Sequence, residues 1–134
     1  MEAKQATSGM EEFFGEVISS YSRAQAIDDG VLVDLSALFP SDTRLYKWPV
    51  ACTSGVWSLI EKVCLQRDTG ELIGAGAWVW DLCWMSIRAK MTVISQSEFL
   101  FKCSIGNKVQ TFKVACGPGD NAEPVITIML PDED

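Results

Sequence analysis

The stretch SEFLFKCSIGNKVQTFKVAC, residues 97–116, narrows the choice of fold more than any other part of the chain. Large apolar side chains recur at every second position on both sides of a Gly-Asn pair. Phe99, Phe101 and Cys103 fall on one face of an extended strand, with Leu100, Lys102 and Ser104 on the other. Beyond Gly106 and Asn107, Phe112, Val114 and Cys116 share a face while Thr111 and Lys113 point the opposite way. A Gly-Asn pair between two alternating runs is a hairpin signal, because a two-residue loop needs a positive φ that glycine adopts without strain. PVITIMLP supplies a third strand, with Pro124 and Pro131 outside its regular part. The C-terminal third therefore reads as an antiparallel meander, and one of its faces needs a cover.

Helices upstream can provide that cover. In TSGVWSLIEKVCLQ, Val56, Ile60 and Val63 recur at helical spacing, Trp57 and Cys64 widen the stripe, and Thr53 or Ser54 can cap the first turn. A second helix is expected over about 77–90, apolar nearly all round and hence central, with Trp80, Trp84, Ile87 and Met91 on one seam and Trp78, Leu82 and Met85 on another. Ser22 is placed to cap the short segment RAQAIDD, Gln25 stands at capping-box spacing from it, and Gly30 ends it. VLVDLS reads as a strand with Val31, Val33 and Leu35 on one side, and FFGEVISSYS as another short strand. Pro49 holds Trp48 extended, so LYKWPVACT is expected to be irregular or an edge strand. The sum is one small α+β domain, two or three helices packed on an antiparallel C-terminal meander. Its organisation is a flexible N-terminus over 1–12, a globular unit over 13–131 and an acidic tail over 132–134.

Composition then limits function. A chain of 134 residues with 48% apolar and 22% charged residues can bury a modest core. Its formal charge of −7 repels nucleic acid and anionic membranes and suits a basic partner. With no histidine, the usual general base and commonest metal ligand are missing. The five cysteines are widely spaced, which reads as reduced core thiols of a cytoplasmic protein and not as a zinc site. No cofactor and no membrane span are expected.

Three local features compete as sites. CGPGD resembles a phosphate loop only superficially: Pro118 lacks an N–H, the following segment is extended, and Asp120 and Glu123 repel anions. It reads as a tight connection. Arg23, Asp28, Asp29 and Asp34 form an alternative polar site, the best candidates for a small hydrolase or nucleotide-binding enzyme. The solvated or helix-ending reading of the same carboxylates needs no cleft. The segment after Gly117 carries Asp120, Glu123, Asp132, Glu133 and Asp134 with no lysine or arginine, a negative field suited to a basic protein. Trp48 is the candidate exposed anchor beside it. Trp78, Trp80 and Trp84 with Arg44, Lys47, Arg88 and Lys90 leave single-stranded nucleic-acid binding as a further alternative.

FGEVISSYSRAQAIDDGVLVDLS, KWPVACTSGVWSLIE and ACGPGDNAEPVITIMLPDED together resemble a small, uncharacterised domain-of-unknown-function family encoded by phages, prophages, plasmids and other mobile elements. The resemblance runs from about Phe14 to the C-terminus and brings no catalytic residue with it. It implies an accessory role against host defence. Combined with the residues, this gives the expectation of a non-catalytic, acidic protein-binding module, an inhibitor of a host defence complex in the manner of an anti-CRISPR protein.

Overall fold

The C-terminal alternation folds as its period demands. The computed structural model describes residues 21–65, 69–71, 73–92 and 97–133. Strands β3 (Glu98–Ile105) and β4 (Lys108–Pro118) pair antiparallel around Gly106-Asn107, and β3 is buried at every second residue. Gly106 has φ +67°, the left-handed conformation that the first position of this two-residue loop requires. β4 pairs in turn with β5 (Pro124–Met129), which completes the expected meander.

The sheet does not stop there. β5 also pairs in parallel with β2 (Val50–Thr53), and β2 pairs antiparallel with β1 (Leu32–Asp34), giving the order β1-β2-β5-β4-β3. The sheet is mixed, not a simple meander. This corrects the reading of LYKWPVACT as irregular or as an edge. VACT lies inside the sheet and all four of its residues are buried, so it carries no alternation for the eye to find. VLVDLS is also divided. Its strand ends at Asp34, whose side chain accepts from the Ala37 N–H (3.2 Å) and caps a one-turn helix, α2 (Leu35–Leu38).

Four helices fall among the described residues, one or two more than expected. The first, α1 (Arg23–Asp28), carries the anticipated capping box: Ser22 Oγ accepts from Gln25 N, and the Gln25 side chain accepts from Ser22 N. Gly30 follows it at φ +80°. The second is α2, and the third, α3 (Ser54–Cys64), is capped by Thr53 and buries Val56, Ile60 and Cys64, while Val63 is exposed. The longest, α4 (Ala75–Thr92), lies against β3 and buries Val79, Leu82 and Cys83. It is not enclosed all round, since Asp81, Trp84 and Arg88 face solvent. The strand expected in FFGEVISSYS lies outside the described residues but for Tyr21 and Ser22, and Ser22 caps a helix.

One core holds these layers together. Phe101 and Phe112 meet with ring centroids 5.6 Å apart, and Leu35, Val50, Val56, Ile60, Val79, Val114 and Ile126 close around them. Tyr46 reaches into it to share a 2.6 Å hydrogen bond with the buried Ser86 hydroxyl. Truncating a fully buried ring such as Phe112 costs about 3–5 kcal/mol in cores of this kind. No helix among the described residues is long and apolar enough to cross a membrane.

Candidate functional site

Four of the polar residues singled out in the sequence, Arg23, Asp34, Asp120 and Glu123, meet where α1 approaches the β4–β5 connection. That connection is the CGPGD stretch, and it is a tight turn. Gly119 N donates to the Glu123 carbonyl (2.6 Å), Ala122 N donates to the Gly119 carbonyl (3.1 Å), and Ala122 is held at φ 64°. Asn121 N donates to Glu123 Oε1 (2.8 Å). The glutamate carboxylate lies so close to Gly119 that an added Cβ would stand 2.7 Å from it.

Asp120 projects from this turn onto the start of α1. Its Oδ1 accepts from Arg23 N (2.7 Å) and its Oδ2 from Ala24 N (3.1 Å), satisfying two N–H groups that a helix start leaves without intrahelical partners. The negative charge also suits the positive end of the helix. Arg23 answers in the opposite direction: Nη1 donates to Thr127 Oγ1 (2.8 Å) and Nη2 to the Ile126 carbonyl (2.9 Å) on β5. Burial lowers the Arg23 pKa, and the nearby Asp34, Asp120 and Glu123 carboxylates offset part of that effect. The two contacts latch α1 to the sheet from both sides, and Arg23 spends both terminal nitrogens on the fold.

Asp28 and Asp29 do not join this cluster. Asp29 accepts from the Tyr21 hydroxyl (2.9 Å), a bond that raises the tyrosine pKa, and Asp28 is exposed at the end of α1. Arg23 and Asp34 do border one hollow of about 180 Å³, together with Pro49, Asp120, Glu123 and Val125. A second hollow of about 480 Å³ runs past Tyr21, Ser22, Leu32 and Pro118. Among the described residues no group of three or more Cys, Asp or Glu side chains is arranged to hold a metal ion.

Trp48 stands next to the acidic hollow. It is 37% exposed and lines an apolar groove of about 340 Å³ with Cys116, Pro118, Ala122 and Pro124. The groove shares Val125 with the hollow, but its Cys116 and Ile126 lie on the face of the sheet opposite Asp34 and Thr127. Asp120 and Glu123 are exposed on the rim. The remaining acids lie elsewhere. Glu133 folds back at the far end of β5, where its Oε1 accepts from Thr53 Oγ1 (2.7 Å) and Leu130 N (2.8 Å). Asp132 is exposed beside it, and Asp134 falls outside the described residues. Six residues of strand, roughly 20 Å, separate the two acidic groups.

Sequence reasoning named the acids but missed two of their partners. Nothing near Asp120 announces a helix 96 residues away in the chain, and nothing near Glu133 announces Thr53. The cysteines are free thiols, four buried and Cys116 half-buried. Burial pushes the Cys52 and Cys83 thiols up to about 12 and Cys103 up to about 11.

The fold and this latch define a small α+β domain with a mixed five-stranded sheet. The chain belongs to DUF6573, a family of unknown function whose sequence model matches residues 10–134. No curated protein and no solved structure matches it.

Proposed function

We propose that this protein is a non-catalytic protein-binding module of a mobile element, acting in the host cytoplasm on a basic protein or complex of the host, such as a defence complex that handles nucleic acid. The observation that carries the reading is the meeting of Trp48, an apolar groove and two exposed carboxylates, Asp120 and Glu123, at one turn. A partly exposed tryptophan in a groove is the kind of anchor that dominates interface energy. Acidic neighbours speed encounter with a basic surface and select its orientation. The formal charge of −7 acts in the same sense over longer distances. Mobile-element origin rests on the sequence resemblance and supplies the defence setting.

The test is capture from host lysate with the wild-type chain and two folded variants, Trp48→Ala and Glu123→Gln. The expected catch is a nucleic-acid-handling protein whose recovery drops at high salt and is lost with Trp48→Ala. A partner retained equally by both variants, or no specific partner at all, overturns the proposal.

A further inference from the structure

We infer that the outer edge of β3 pairs with β3 of a second copy of this chain, antiparallel, about a two-fold axis at Leu100. β3 is the last strand in the order β1-β2-β5-β4-β3, and its 8 residues pair with β4 alone among the described residues. The register runs without a bulge and the strand contains no proline, so two usual guards against edge pairing are missing. The direction of the backbone groups follows from the two ends of the strand. Cys116 N donates to the Ser97 carbonyl (2.7 Å), and Ile105 and Lys108 flank the two-residue loop. The odd-numbered residues from 97 to 105 therefore bond to β4, while Glu98, Leu100, Lys102 and Ser104 turn their N–H and C=O groups outward.

Charge selects both the occupant and the register. The side chains of these four outward-bonding residues are exposed, Leu100 by 62%. Glu98 and Lys102 stand to either side of Leu100 at equal spacing. A two-fold axis at Leu100 sets Glu98 opposite Lys102 of the second copy, Lys102 opposite its Glu98, and the two leucines against each other. All are outward-bonding positions, so every pair can exchange both of its N–H···O bonds. Moving the axis to Phe101 keeps the backbone bonds but sets Lys102 against Leu100 and Glu98 against Ser104, which loses both ion pairs. Lys102 makes no ion pair among the described residues, and Glu98 reaches Lys113 only at 4.0 Å with its side chain 58% exposed. A lysine on an edge strand discourages pairing, and the second copy's glutamate removes that penalty in one register only. Trp84 of α4, 45% exposed, lines a hollow of about 420 Å³ with Lys102 and Ser104, so a strand laid along this edge also covers an indole ring. The charge of −7 on each copy opposes approach, but physiological salt screens it beyond about 8 Å, and the contact pairs lie closer than that.

The test is sedimentation equilibrium of the full chain from micromolar to millimolar concentration at physiological ionic strength, with amide hydrogen exchange on the same samples. One strand pair and one indole make a small interface of the weak class, so the dimer is expected to appear within this range. As it does, the Leu100 and Lys102 amides should gain about ten-fold protection, while those of Phe99 and Phe101, already bonded to β4, should change little. Glu98→Lys and Lys102→Glu each set like charges against each other and should be monomers alone. Mixed, the two variants restore opposite charges at both contacts and should form a one-to-one dimer, which also shows that both are folded. A wild-type chain that stays monomeric to millimolar concentration overturns the inference. So does a single variant that dimerises as the wild type does, a mixture of the folded variants that stays monomeric, or protection of the Leu100 and Lys102 amides already present in the monomer.

Discussion

Arg23 shows how a residue that looks available in the sequence is consumed by the fold. In RAQAIDD it stands at the start of a helix, where a positive charge gains nothing from the dipole. Its value comes from β5, since one guanidinium bonds both the Thr127 hydroxyl and the Ile126 carbonyl. Lysine cannot span those two acceptors with its single nitrogen. Arg23→Met is therefore expected to cost roughly 2 kcal/mol, about 1 for each lost hydrogen bond, and Arg23→Lys to recover less than half. Urea unfolding of the three proteins checks this. Equal stabilities would mean that the guanidinium is held by solvent and not by the strand.

At the scale of elements, the local signals were legible and the long-range ones were not. The capping box at Ser22, the α3 stripe and the Gly106-Asn107 hairpin each depend on residues within a few positions of one another, and each has a period or a spacing that can be read from the chain. The parallel pairing of β2 with β5 has no such mark, since VACT is four residues without alternation and fits an interior strand or a loop equally well. Asp34 had a double meaning, because an alternating strand position and a helix cap are both natural to it, and the cap ends β1. For the site, the composition of the turn could be read, but its contact with α1 joins residues 23 and 120 and could not. The double support of α1 gives a prediction of its own. Ser22→Ala should cost about 1 kcal/mol, and Asp120→Ala a similar amount, because each leaves N–H groups of the same helix start unpaired. Measured as a double-mutant cycle by thermal melts, the pair should be less than additive, since once the start of α1 frays the second cap has nothing to hold. Ala122→Gly tests the turn in the opposite sense: with φ at 64°, glycine should stabilise by about 1 kcal/mol.

The whole molecule is set up to fail at alkaline pH. Cys52 and Cys83 are both fully buried, and burial raises each thiol from its ordinary value of 9.0 to about 12. A raised pKa means that the folded state holds its protons where the unfolded chain has released them. Below pH 9.0 both states are protonated and the full stability is present. Above it the unfolded state binds fewer protons, so stability falls with each pH step until the folded pKa near 12 is reached. Each thiol contributes a slope of about 1.4 kcal/mol per pH unit across that window, so the pair removes about 3 kcal/mol per unit. Small domains hold about 5–15 kcal/mol in total, and three units at that slope remove about 8–9 kcal/mol, enough to unfold a domain in the lower part of that range. Tyr46 acts in the same direction, its phenol pushed up to about 12 by burial against the partial relief of its bond to Ser86. Thermal melts between pH 7 and 11 should show a transition temperature that is level at first and then drops steeply. Cys83→Ala removes one of the three thiols that titrate this way, with Cys52 and Cys103, and should flatten the drop by about a third while lowering stability at neutral pH through the cavity it leaves. A transition temperature that stays level to pH 11, or a Cys83→Ala profile parallel to the wild type, would show that the buried thiols do not set the alkaline limit of the fold.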